Sequence, residues 1–269
     1  MKQLSHVILF TFIELAHQRI YQIIATILII APWLLLIPAS LFMLDIGKVF
    51  ADFLFMFMHL WLLIYIFFLV TPLVNKDIEQ SICQMFLTLP MSRSIYLWGR
   101  YTGVLLGIAP LLLAYDTSSA LAFQFAQTSW LDYVPAGLEI NFLLGTLLIL
   151  LPYLALTSVL FLIASRATGL PETTVFLFCV WLLCWSLPPV LAAMNQTEVA
   201  QNTPVWIGEL LALVNQLLPD LSSSTISLYL AHMQDIDSLA LAAYCAQHLG
   251  YAMLAMLIAV RLFRDRDLS

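Results

Sequence analysis

Few residues of this chain could do chemistry, and most of them sit in apolar surroundings. His59 follows Asp52 by two helical turns, so both fall on one face of a helix. A histidine and a carboxylate aligned in this way could pass a proton or hold a metal, and an ionisable residue at membrane depth is a functional candidate by default. Met56 and Met58 cannot share a helical face, which excludes a copper-binding methionine box, and a neutral His59 bonded to a neighbouring helix is the simpler expectation. Asp116, followed by Thr117, Ser118 and Ser119, either lines a hydrophilic path or marks the end of an apolar run. His6, Glu14 and His17 could be drawn as a metal set, but chance produces such spacings often, so no metal site is expected. Cys83, Cys179, Cys184 and Cys245 have neither CxxC nor metal-ligand spacing and read as small buried residues or free thiols. No HExxH, GxSxG or GxxxxGK[ST] sequence occurs. Neither the familiar hydrolase centres nor a phosphate-cradling loop is therefore encoded.

The elements that must position these residues are membrane spans. Of 269 residues, 62% are apolar and only 10% are charged, with a mean hydropathy of +0.97. A soluble domain carries about a quarter charged residues, so lipid is the solvent for most of this chain. A net charge of −6 argues against a nucleic-acid partner. Six apolar windows reach the roughly 20 residues needed to cross a bilayer: Ile20 to Leu44, Val49 to Val74, Ile95 to Ala114, Ile140 to Ala164, Thr173 to Met194 and Leu239 to Leu262. The runs are continuous, whereas a β-barrel would alternate. An all-α integral membrane protein follows, read as one polytopic domain over 1–269. The third window leaves open whether the chain crosses straight through Asp116 or breaks there.

With the N-terminus inside, one side receives Lys2, Arg19, Lys76, Arg93, Arg100, Arg166, Arg261, Arg264 and Arg266, and the other only Lys48. The positive-inside rule then places both termini in the cytoplasm. Residues 1–19 form a helix expected along the cytoplasmic interface, with Leu4, Ile8, Phe12 and Leu15 on one face and Lys2, Ser5, Glu14 and Gln18 elsewhere. Pro32 and Pro38 predict kinks in the first span. In the outer connection, 195–238, Trp206, Ile207, Leu210, Leu211, Val214, Leu217 and Leu218 keep helical spacing up to Pro219.

The connection after the second span, 75–93, is the most informative stretch. Ile78, Ile82, Met85, Phe86 and Leu89 recur as the apolar face of a short helix. Asn75 is read as its N-cap, Asp77 and Glu79 as first-turn acids favoured by the helix dipole, and Pro90 as its stop. The sequence Met85-Phe86-Leu87-Thr88-Leu89-Pro90-Met91-Ser92-Arg93, preceded by Asp77, Glu79 and Ser81 and followed by Tyr96 and Gly99-Arg100, resembles the permeases of type-2 ABC transporters (ABC-2 type). Ser81-Ile82 stands where that family often has Gly-Thr. The N-terminal helix resembles the family's elbow helix, the outer helix its short re-entrant helices, and the tail Val260 to Ser269 its Phe-basic-Asp ending.

The resemblance implies a permease subunit, itself not an enzyme, in the cytoplasmic (inner) membrane. It implies two copies pairing around a substrate path, and a separate ATPase subunit that supplies ATP and Mg from the cytoplasm. The connection then acts as a coupling helix in which Ile82, Met85, Phe86, Leu89 and Pro90 meet the ATPase or the membrane domain, with Asp77, Glu79 and Arg93 in polar contacts. His59, Asp52 and Asp116 are the candidates for a substrate path. An exporter is the expected direction. The competing readings are an ion-driven secondary carrier, which would need broken helices and paired intramembrane charges, and a membrane-embedded lipid-modifying enzyme, which would need converging acid, base or metal groups.

Overall fold

A computed structural model describes residues 2–42, 45–79, 92–130, 133–135, 137–194, 205–219, 221 and 238–265. Apolar runs of this length can satisfy their backbone polar groups in lipid only as helices, and helices are what form. They are α1 (Lys2–Ala16), α2 (Arg19–Ala39), α3 (Ile46–Ile64), α4 (Thr71–Glu79), α5 (Arg93–Ser129), α6 (Leu138–Ala164), α7 (Leu170–Met194), α8 (Val205–Leu217) and α9 (Ser238–Arg264). A π-helical turn, Tyr65–Val70, joins α3 to α4, so the two form one span. Among the described residues six helices are long and apolar enough to cross a membrane. The protein is an all-α, multi-pass membrane protein.

Asp116 does not break the third span. α5 runs unbroken for 37 residues, about 55 Å at 1.5 Å per residue, well beyond the roughly 30 Å of a hydrocarbon layer. The polar run is tolerated because its hydroxyls find carbonyls. Thr117 donates to Leu113 at 2.7 Å, and Ser118 donates across to Ile29 of α2 at 2.6 Å. α2 likewise continues through Pro32 and Pro38.

Two devices hold the bundle. The first is close approach over glycine. Gly99, Gly103 and Gly107 stand one turn apart on α5, and a Cβ there would come within 2.7 Å of Val7, 2.6 Å of Thr11 and 2.7 Å of the Tyr65 hydroxyl. Leu15 would lie 3.0 Å from the Cβ at Gly107. Val7, Thr11 and Leu15 therefore seat α1 along the start of α5, as small residues allow between membrane helices. The buried stripe of α1 is Val7, Thr11 and Leu15, while Leu4, Ile8 and Phe12 are only half-buried. Of the face expected from the spacing of large apolar residues, Leu4, Ile8, Phe12 and Leu15, only Leu15 belongs to the buried stripe, because that spacing gives Thr11 no weight.

The second device is a tyrosine hydroxyl donating to a carbonyl of the next helix. Tyr21 reaches Gly107 (2.9 Å), Tyr65 reaches Val104 (2.8 Å), Tyr101 reaches Leu154 (3.2 Å) and Tyr115 reaches Leu54 (2.6 Å). Each of these rings is buried among apolar neighbours while its hydroxyl is satisfied. α6 is the most enclosed span, at 61% buried, whereas α7 reaches only 17% and turns its apolar surface outward.

Candidate functional site: a buried arginine at the base of the second and third spans

Among the described residues Arg100 is the largest side chain that is enclosed, with 2% exposure. It lies two turns into α5, among apolar neighbours, and a charge there needs partners. Three elements supply them. From α4, Asp77 Oδ1 accepts from Nη2 at 2.5 Å. From α1, Glu14 Oε2 accepts from Nη1 at 2.7 Å, and the Thr11 hydroxyl accepts from the same nitrogen at 3.2 Å. One turn back on α5, the Tyr96 hydroxyl accepts from Nε at 3.4 Å while donating to Asp77 Oδ2 at 2.8 Å. The faces of Phe10 and Tyr96 lie 5.2 and 5.8 Å from the guanidinium carbon, within cation–π range. Both oxygens of Asp77 are engaged, so the cluster is closed as well as charged.

The neighbouring bonds extend it. Asn75, 2% exposed, accepts at Oδ1 from the Thr173 hydroxyl of α7 (2.8 Å) and donates from Nδ2 to the Thr71 carbonyl (2.8 Å). Arg93 Nη1 donates to the carbonyls of Arg264 (2.8 Å) and Phe263 (3.4 Å) at the end of α9, where a cation matches the helix dipole. Ser92 caps α5, its hydroxyl accepting from the Ile95 N–H at 3.3 Å. A small cavity of about 20 Å³ adjoins the ion pair, lined by Val74, Asp77, Tyr96, Arg100, Ser165 and Phe263 among others. The start and the end of the 80–91 connection are thus tied together, and α1, α7 and α9 are tied to them.

Several expectations from the sequence are altered. Asn75 is not an N-cap, since it lies inside α4, which starts at Thr71. Asp77 is not a first-turn acid, since α4 starts at Thr71, and it is the buried partner of Arg100. Arg93 contacts the end of α9. Glu79 closes the described part of α4, and Ile82, Met85, Phe86, Leu89 and Pro90 lie outside the described residues. Glu14 faces Arg100 rather than His6 and His17, and among the described residues no three His, Cys, Asp or Glu groups stand together as a metal set.

The substrate-path candidates separate. His59 Nδ1 lies 3.0 Å from the Tyr153 hydroxyl of α6, as expected of a histidine bonded to a neighbouring span. Asp116 Oδ2 accepts from Thr146 of the same helix at 3.4 Å. Tyr153 and Thr146 are two turns apart, so His59 and Asp116 meet α6 at levels separated by about 10 Å. Asp52 is half-buried on α3. Asp116 Oδ1 is buried and has no hydrogen-bond partner among the described residues.

Arg100 lies inside the third apolar window and enters the sequence argument only as a cytoplasmic-side charge and as part of the Gly99-Arg100 pair, so its role as the centre of a cluster is a finding of the structure. The available signal was a lone cation two turns inside an apolar run, with glycines at 99, 103 and 107 marking a helix seated beside it. No protein-family model and no curated protein matches the chain.

Proposed function

We propose that the protein is the permease subunit of a type-2 ABC transporter, an exporter that works as a pair of copies with a separate ATPase. The observation that carries this reading is the closed cluster of Arg100 with Asp77, Glu14 and Tyr96. A connection pushed by a motor must have a stiff base, or the push is lost in local bending. Here the helix that begins the connection (α4) and the helix that follows it (α5) share one buried ion pair, and α1 is held to the same guanidinium. Arg93 adds the end of α9. A push on residues 80–91 would reach the second, third and last spans together, as rigid-body switching requires. The resemblance in 77–100, the connection's apolar periodicity and the positive-inside count support a cytoplasmic position for this base. The chain has no phosphate loop, so ATP and Mg would be held by the partner. Helix-in-groove docking would use Met85 and Phe86.

The test is co-purification of the full-length protein from its native membrane. A nucleotide-hydrolysing protein should copurify with the wild type and be lost with Met85→Asp and Phe86→Asp. Retained association and retained transport in both variants would remove the coupling-helix assignment. A second reading, an ion-driven carrier, draws on the unsatisfied oxygen of Asp116. It predicts that Asp116→Asn abolishes transport and that no ATPase is required.

A further inference from the structure

The second span reaches the Arg100 cluster through a widened turn. Tyr65–Val70 is π-helical, so its backbone bonds close five residues apart and the turn contains one residue more than an α-helical turn. The cause is local. Pro72 has no N–H to donate, and in a regular helix its ring would meet the carbonyl of Phe68 four residues back. Thr71 closes the widened turn twice, because its backbone N–H and its side-chain hydroxyl both reach the Ile66 carbonyl, the hydroxyl at 2.9 Å. Above the turn, Tyr65 is pinned to Val104 of α5 over Gly107, so the upper half of the span is fixed.

The extra residue decides where α4 points. Each residue of an α-helix turns the chain by about 100° and advances it about 1.5 Å. Asn75 and Asp77 are two residues apart and face different sides of α4, Asn75 toward Thr173 of α7 and Asp77 toward Arg100 of α5. Both bonds require the same rotation of α4. Relaxing the π turn to an α turn would rotate α4 by about 100° and break the two bonds in one step.

We infer that the π turn Tyr65–Val70 is a rotary hinge whose change to α-helical winding swivels α4 and frees Asp77 from Arg100 and Asn75 from Thr173 together. The hinge follows from the bonds on both sides of the turn, and only its use as the stroke of a transporter rests on the permease reading. π-helical winding occurs mostly as single turns inside α-helices and frequently at functional positions.

The experiment uses full-length protein in membranes, in a cysteine-free background with cysteines at Val74 and Phe161, which line the same small cavity. A disulfide formed between them with molecular iodine, which enters lipid, reads the register of α4. Thr71→Val with Pro72→Ala removes both causes of the widened turn. The rate of crosslinking should fall by about half or more, in proportion to the fraction of molecules that take the α-wound register. Pro72→Ala alone should lower it in the same direction, and is the variant to read if the double variant does not fold. Deleting Phe68 together with Pro72→Ala removes the extra residue while leaving α4 in its present orientation. That variant should crosslink at the wild-type rate and keep any ATPase bound, but lose transport. Unchanged crosslinking in the Thr71 and Pro72 variants would overturn the hinge, and full transport by the deletion variant would overturn its use as the stroke of a transporter. Should crosslinking follow the expected pattern while no ATPase is found, the hinge stands and the permease reading falls.

Discussion

Arg100 and Asp116 lie on the same helix, sixteen residues apart, and are treated in opposite ways. Arg100 is bound by two carboxylates, a phenol and a threonine hydroxyl brought from two other helices and its own. Asp116 has one oxygen on a threonine at 3.4 Å and the other on nothing among the described residues. A buried charge is costly in either place, and only fully formed partners offset that cost. The contrast separates a cluster that holds helices together from a polar group that the fold merely tolerates, and it predicts which of the two the protein can lose.

The largest effect is expected at Arg100. Arg100→Met strands Asp77 and Glu14 inside the bundle, and removing one member of a buried pair costs about 3–5 kcal/mol. Thermal denaturation in detergent should show a large fall in the midpoint. Adding Asp77→Leu and Glu14→Leu should recover most of it, because exchanging a whole buried ionic group for apolar side chains is near neutral. If the triple variant is no better than Arg100→Met, the ion pairs are not what the arginine contributes.

Next comes the glycine ridge under α1. Gly103→Val places a side chain where a Cβ already meets Thr11 at 2.6 Å and the Ile8 carbonyl at 3.0 Å. Overpacking of this kind costs about 1–3 kcal/mol. It should loosen α1, which maleimide labelling of a cysteine placed at Val7 would report as a faster reaction. Thr173→Val leaves Asn75 Oδ1 buried without its donor, at a cost of about 1–3 kcal/mol, measurable by the same denaturation. The smallest effect is expected at Asp116. Asp116→Leu removes a partly satisfied acid and should lie within about 1 kcal/mol of the wild type, on the stable side if either. A melt as damaged as that of Arg100→Met would erase the contrast between the two sites.

The spans were legible because apolar length is a direct physical requirement of the bilayer, and each expected window corresponds to a helix. The ends were less legible. The end of the third span stays open in the sequence beyond Ala114, because Asp116 to Ser119 are polar. A helix absorbs such residues when their hydroxyls bond carbonyls one turn back or on a neighbour, which composition does not reveal. The cluster was the least legible part. Glu14 and Asp77 stand 86 and 23 residues from Arg100 in sequence, and no periodicity relates them. Asp77 and Arg93 lie in the stretch of chain that the sequence singles out, Asp77 as a first-turn acid and Arg93 as a polar contact, and the structure adds that Asp77 is buried against Arg100 and that Arg93 bonds the end of α9. The π turn has a sequence cause in Thr71-Pro72, yet a proline beside a threonine is equally compatible with a kink or a helix end.

The proposed grip of an outside motor on the segment between α4 and α5 is tested most directly in living cells, by a photoactivatable amino acid at position 86 of the full-length protein. The account predicts a crosslink to a nucleotide-hydrolysing protein that weakens when ATP is depleted. Crosslinks to lipid alone, with and without ATP, would contradict it.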